Sequence, residues 1–345
     1  MAEKAIYFSS YNEIEKRASF NSEQEISPDN FKSLVGMYRF DENVICQVRT
    51  KKGICHQKHK NGWLGITNDG VEALIGGHCA SEYFKADNSF RLEKKRVESE
   101  IERRLAVEKL RGYIFGEKDY PNEVACLRTN LISARKILDS FYKSFPNSVL
   151  RFIDDAQRNQ NWIINVDVGT EIQRTIKKDG EEEVITFYEW TPDTIGRLKP
   201  IIPTRDIISL INKVKELAES YGEVCAQNID DIKTPKLKKY VERLSEKEDY
   251  ATLYDKYKAL IEDFIKPGNL DSLIYVCDDE EEQFLTVKAI MSMTGAKVSS
   301  DGHIKLRLRR IHDRYKQQFN GKKIRKNTKI LLCINIGDFY YIGTL

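Results

Sequence analysis

The sequence predicts an α+β protein: a small cysteine- and histidine-rich N-terminal module, a long amphipathic helix, a helical middle with a β-hairpin, and a small α+β C-terminal domain. Three observations predict it. At 345 residues, 41% hydrophobic and 32% charged, the chain exceeds one ordinary core and is too apolar for wholesale disorder. Helical periodicity dominates residues 87–265, while short β-type runs lie before, within and after that stretch. Finally, of seven cysteines and five histidines, six fall between residues 46 and 79.

Taken in order, residues 1–30 are polar and weakly patterned, ending in "SPDN", and read as a loose polar arm. Residues 31–86 hold the short runs "MYRF" and "NVICQVRT" between glycine-punctuated loops, as a compact module would. Residues 88–112 open on Asn-Ser and close at Gly112, with Phe90, Val97, Ile101, Leu105 and Leu110 near helical spacing. This helix either packs on its own domain or forms a short coiled coil through which the chain makes a homo-oligomer or meets a protein partner. A helix broken near Pro146 follows over 123–160. A hairpin over 162–190 should turn at Asp179-Gly180. Prolines in "LKPIIPTRD" impose a linker, and helices follow at 207–221, 234–244 and 249–265. In the domain 270–345 the expected order is strand "SLIYVC", helix 280–295, strand "HIKLRLRRI", and a hairpin over 329–343 turned at Gly337 and Asp338.

The histidines and cysteines of "CHQKHKNGWLGITNDGVEALIGGHC" (55–79) have the chemistry of a zinc site, and a small module short of core would gain folding energy from the metal. The ligand set is Cys46, Cys55, His59 and Cys79, with His56 as substitute. Cys55 and His59 are close enough for one turn to close them around an ion, and Cys79 stands where a helix start would favour a thiolate. A ligand-bearing hairpin followed by a cysteine on a helix start resembles treble-clef zinc modules over residues 46–84. That resemblance implies a structural Zn2+ and departs from the usual first C-x-x-C, because "CQVRTKKGIC" spaces its pair more widely. The bland alternative is a cysteine-rich loop without metal. A catalytic alternative is an HNH-like metal-dependent nuclease built on His59, Asn68 and His78, although "NDG" also reads as a type I′ turn. Trp63 is either a stacking platform or the lid of the module's core.

The net charge of +3 does not itself name a partner. Residues 305–329, however, carry eleven Lys and Arg against one acid, Asp313. Lys305, Arg307, Arg309, Arg310, Arg314, Lys316, Lys322, Lys323, Arg325 and Lys326, interleaved with Tyr315 and Phe319, would neutralise the phosphates of a nucleic acid. Alternatively they are solvated, or pair with the acidic run "DDEEE" at 278–282. Cys126, Cys225, Cys277 and Cys333 read as reduced, core-filling thiols. No Walker loop, dinucleotide fingerprint, nucleophile elbow or kinase signature occurs. No run approaches a membrane span and the start lacks a signal peptide, so a cytoplasmic location is expected. The functional expectation is therefore non-enzymatic, zinc-containing nucleic-acid binding. A place in phage biology or anti-phage (antiviral) defence is suggested only by the lack of housekeeping motifs.

Overall fold

The computed structural model describes residues 4–117, 119–178, 181–296, 300–327, 332–336 and 339–343, with no account of the side chains at 177–178, 181–183 and 332–343. In chain order the elements are β1 (Ile6–Phe8), α1 (Tyr11–Glu15), β2 (Phe31–Ile45), β3 (Arg49–Thr50), β4 (Gly53–Ile54), β5 (Lys58–Thr67), β6 (Glu72–Gly76), α2 (Gly77–Tyr83) and α3 (Asn88–Phe115). Then come α4 (Tyr120–Ser144), α5 (Asn147–Asn159), β7 (Ile163–Lys178), β8 (Glu181–Arg197), α6 (Thr204–Cys225), α7 (Thr234–Ser245) and α8 (Lys247–Phe264). The chain ends through α9 (Pro267–Leu270), a 3-10 helix (Asp271–Val276), α10 (Glu280–Met293), α11 (Asp301–Gln318), β9 (Lys323–Lys326), β10 (Leu332–Ile336) and β11 (Phe339–Gly343). The fold is α+β. It separates into two compact units, one of residues 1–120 with 219–245, the other of 121–218 with 246–345.

The first unit is a sheet in the order β1-β2-β5-β6, with β1 parallel to β2 and the other pairs antiparallel. Bulges in β2 between Phe31 and Ser33 and between Leu34 and Gly36 reset the strand's alternation, so that Phe31, Leu34 and Met37 enter one cluster with Phe84, Phe90, Val97 and Ile101 of the α2–α3 region. Val35, Tyr38 and Phe40 enter another with Ile14 of α1. Gly36 permits the close approach of β1, since a Cβ there would lie 1.9 Å from the Ile6 carbonyl oxygen. Helix α3 also supplies polar partners that the irregular strands lack. Leu34 N donates to Glu93 (3.1 Å) and Arg96 donates to Leu34 O (2.9 Å), beside a break in the β2–β5 register. Ala5 N donates to Glu100 (3.0 Å) and Arg104 to Ala5 O (2.8 Å). Backbone groups that leave a ladder must be paired elsewhere, and here one helix face does it. Two turns beyond Arg96 on the same stripe, Arg103 donates to Ile232 O (2.6 Å) and Asp230 O, holding the segment before α7.

In the second unit Phe141, Phe145 and Phe264 form an aromatic centre, with ring centroids 4.4 and 5.2 Å from Phe141. A three-stranded sheet, order β8-β7-β9, places Val166 and Val168 in the core. The 3-10 helix Asp271–Val276 is entirely buried, and its Asp271 is bound by Arg307 (2.8 Å) and Arg314 (2.9 Å) of α11.

Several expectations are corrected. Residues 4–30 are no loose arm: β1 joins the sheet and Ile14 and Ile26 are fully buried, isolated apolar anchors too sparse to show periodicity. "SLIYVC" is a 3-10 helix rather than a strand, since a short wholly apolar run is ambiguous when both options are buried. "HIKLRLRRI" belongs to α11. Its Arg/Leu alternation is local, whereas Ile304, Ile311 and Tyr315, spaced by seven and four residues, bury one helical face and leave Leu306 47% exposed. Helix α3 is capped by Asp87, which accepts from Ser89 N and Phe90 N, and runs past Gly112. Leu105 is 45% exposed, and Ala106 and Val107 are buried instead. The expected hairpin exists as β7–β8 but is longer, and its turn at Asp179 and Gly180 lies outside the described residues. The C-terminal hairpin is likewise found as β10–β11, with Gly337 and Asp338 outside them. "NDG" does turn β5 into β6, but with a left-handed residue only at Gly70 (φ +82°), so it is not type I′. Cys126 and Cys225 are exposed rather than core-filling, Cys277 is buried, and the Cys333 side chain lies outside the described residues.

The α3 clamp has a pH signature. The hydrogen bond from Arg96 holds the Glu93 carboxyl below its ordinary value of 4.5. A carboxyl depressed in the folded state contributes stability above its unfolded pKa and loses it as pH falls through the folded one. Urea midpoints measured against pH should therefore decline below about pH 4.5, and Glu93→Gln should flatten that acid limb.

Candidate functional site

Cys46 follows β2, Cys55 follows the β3–β4 hairpin, and Cys79 lies in the first turn of α2. Backbone bonds draw these points together: Cys46 N donates to Gln57 O (2.9 Å) and His56 N to Cys46 O (3.1 Å), setting Cys46 beside Cys55, while Gly76 N at the end of β6, shortly before Cys79, lies 3.5 Å from Cys46 Sγ. The three sulfurs all lie within 4.8 Å of one another, with Cys55 Sγ 3.3 Å from Cys79 Sγ. Cys46 and Cys79 are buried and Cys55 is half-buried. The group could hold a metal ion. Burial pushes the Cys46 and Cys79 thiols upward, so desolvation outweighs the thiolate preference expected from a helix start, and α2 is only seven residues long. A cation among the sulfurs would reverse that balance.

Of the expected ligands, three come together and the histidines do not. His59 lies on β5 with Nε2 2.5 Å from the Tyr38 hydroxyl, itself 3.4 Å from Ile75 O. Burial lowers the His59 pKa. His56 is exposed at φ 54°. His59 and Asn68 stand at opposite ends of the ten-residue β5, about 30 Å apart at strand rise. His78 is 75% exposed and 3.1 Å from Glu82. The structure therefore does not assemble His59 and Asn68 into one catalytic set. Trp63 closes the core, edge-on to Phe90 at 6.2 Å with Lys94 Nζ 4.6 Å over its ring.

The basic segment is a helix, a turn and a strand. Arg307 and Arg314 are committed to Asp271. Arg309 lies 3.9 Å from Asp313, Arg325 3.4 Å from the buried Asp167, and Lys326 pairs with Asp278. Lys305, Arg310, Lys316 and Lys322 are exposed, and among the described residues no carboxylate is within ion-pair reach of them. Tyr315 is buried against Tyr275, with centroids 5.4 Å apart, and is not a surface platform.

Sequence reasoning missed the aromatics of β8. Lys323 Nζ lies 4.1 Å above the Tyr188 ring and the Arg325 guanidinium 4.0 Å above that of Trp190. The alternation in "TFYEW" marks both rings as same-face neighbours, but nothing local reveals that β9 pairs with β7 beside them. A cleft of about 770 Å³ near Trp162, Pro200 and Arg158 is lined by none of the residues singled out for metal or nucleic acid.

No family model matches the chain, and no solved structure matches it. A stretch of 159 residues, 44% of the chain, is 29% identical to the protein translocase subunit SecA of Prochlorococcus marinus (strain MIT 9312). Stretches of 157 residues are 29% identical to SecA of Rippkaea orientalis (strain PCC 8801 / RF-1) and 26% to that of Crocosphaera subtropica (strain ATCC 51142 / BH68). The match spans only 16% of each of these relatives. No described helix is long and apolar enough to cross a membrane.

The thiols should differ in reactivity. Alkylation of native protein in excess chelator, read by peptide mass spectrometry, should modify Cys55, Cys126 and Cys225 well before Cys46, Cys79 and Cys277. Rapid labelling of Cys46 would contradict the buried cluster.

Proposed function

We propose that this chain is a non-enzymatic, zinc-containing nucleic-acid-binding protein. The observation that carries the reading is the group Lys305, Arg310, Lys316 and Lys322, exposed cations without acid partners among the described residues. The other cations of the segment mostly face carboxylates of their own unit. These four keep their charge for a polyanion, and each phosphate they contact releases counterions.

Zinc is the metal the donor set favours. Three thiolates are soft ligands, and Zn–S bonds of about 2.3 Å in a tetrahedron put sulfurs about 3.8 Å apart, a little wider than the 3.3 Å between Cys55 and Cys79 and inside the 4.8 Å that encloses all three sulfurs. His59 supplies the fourth ligand only by giving up Tyr38, and His56 is its substitute. The relatives' name suggests a second reading, a part in protein translocation, which rests on that likeness alone. Binding of an unfolded polypeptide in place of nucleic acid would favour it.

Protein purified without added metal should contain one zinc per chain by mass spectrometry and lose it in Cys79→Ser. Wild type without zinc would defeat the metal reading.

Nucleic-acid affinity, measured by fluorescence anisotropy across a salt series, should fall when the four free cations are changed together to Ala, with the log–log salt slope reduced by about three. Stability should not change. Arg314→Ala should instead cost about 2 kcal/mol of unfolding free energy, less than a fully buried pair because its side chain keeps some water. Equal salt slopes in the quadruple variant and wild type would defeat the proposed contacts.

A further inference from the structure

We propose that the sheet face bearing Tyr188, Trp190, Lys323 and Arg325 is a track for single-stranded nucleic acid, on which unpaired bases stack. This rests on the nucleic-acid reading and gives it a substrate class.

Strand alternation puts Tyr188 and Trp190 on one face of β8, their ring centroids 6.0 Å apart. Across β7 stands Gly169, paired with Trp190 on one side and with Lys323 of β9 on the other. A Cβ at Gly169 would come within 2.9 Å of the indole, so the missing side chain lets the ring lie across the sheet. Arg325 is steadied at both ends, by the buried Asp167 carboxylate at 3.4 Å and by the Trp190 ring at 4.0 Å. Its side chain is nonetheless 47% exposed. The cations cover the ring faces, so what faces solvent is the outer plane of the Arg325 guanidinium, the Lys323 ammonium and the uncovered margins of two half-buried rings.

Such a surface suits bases more than base pairs. An unpaired base offers a π-face that stacks on aromatic rings or on guanidinium, whereas a duplex offers only edges and phosphates. The charge runs in the same sense. Glu171 sits opposite Tyr188 and accepts its hydroxyl hydrogen at 3.4 Å, while Lys322 and Lys323 lie on the β9 side. Phosphates are thus drawn toward β9 and bases toward β8. The long hairpin could instead enter a major groove as a ribbon. Its end, "KKDGEEE" at 177–183, carries four acids against two bases and would repel a duplex there.

The test uses the full chain with labelled oligonucleotides of about 20 nucleotides, oligo-dT and a duplex of equal length. Wild type should bind the single strand at least about tenfold more tightly. Trp190→Ala should remove that preference, Trp190→Phe should retain most of it, and Tyr188→Ala should weaken it. A strand carrying 5-iodouracil should photo-crosslink to Tyr188 or Trp190 in wild-type protein, a readout independent of how the variants fold. Equal or tighter duplex binding, or crosslinks confined to other peptides, would overturn the track while leaving nucleic-acid binding in place. Binding to neither probe would remove the broader reading and this inference with it.

Discussion

A carboxylate taken out of water has to meet a cation, and among the described residues three such carboxylates decide where several of the arginines go. Asp271 is fully buried and takes both Arg307 and Arg314, Asp167 takes Arg325, and Glu72 of β6 takes Arg17 through two contacts of 2.7 Å. An unpaired charge at such a depth costs several kcal/mol, so each pair fixes the segments that carry it. Through Asp271 the 3-10 helix holds α11, and through Asp167 strand β7 holds β9. The N-terminal residues are tied to the sheet through Glu72 in the same way.

These commitments sort a run of like charges that composition cannot sort. Read as sequence, the cations from Lys305 to Lys326 are equivalent. In the fold, Arg307 and Arg314 are part of the core's electrostatics, Lys326 answers Asp278, and Arg325 bridges a buried acid and an indole. The remainder is a smaller charge in a defined place. A helix also displays it differently from the strand first expected. Of the cations unpaired among the described residues, Lys305 and Lys316 line up three helical turns apart while Arg310 points from another side of α11, and the turn after Phe319 then delivers Lys322 and Lys323 to the sheet.

The mixed α+β character, most helices and the β7–β8 hairpin were legible, because long periodic segments and turn residues are local signals. Strand "HIKLRLRRI" was misread because four alternating residues imitate a pleat, while the decisive burial of Ile304, Ile311 and Tyr315 spans three helical turns. The N-terminal residues were misread for the opposite reason. Ala5, Phe8, Ile14 and Ile26 are each buried but share no period, and they pack on strands that come later. At the site, the clustering of cysteines in sequence did foreshadow their meeting in space. The choice of His59 did not follow, since Tyr38, 21 residues away in sequence, holds its ring nitrogen.

The position of the three sulfurs also changes the role a metal would have. A small zinc finger lacks a core and unfolds without its ion. Here Cys46 and Cys79 belong to the same apolar cluster as Phe31, Phe84 and Phe90, and the sheet buries a second cluster on its other face. The module therefore has hydrophobic burial of its own, supplemented by the polar clamp from α3. A bound ion would relieve the crowding of three thiols and lock β2, the β3–β4 hairpin and α2 together, three segments joined at one corner of the sheet. Its contribution is to local order at that corner, added to a fold that other interactions already hold.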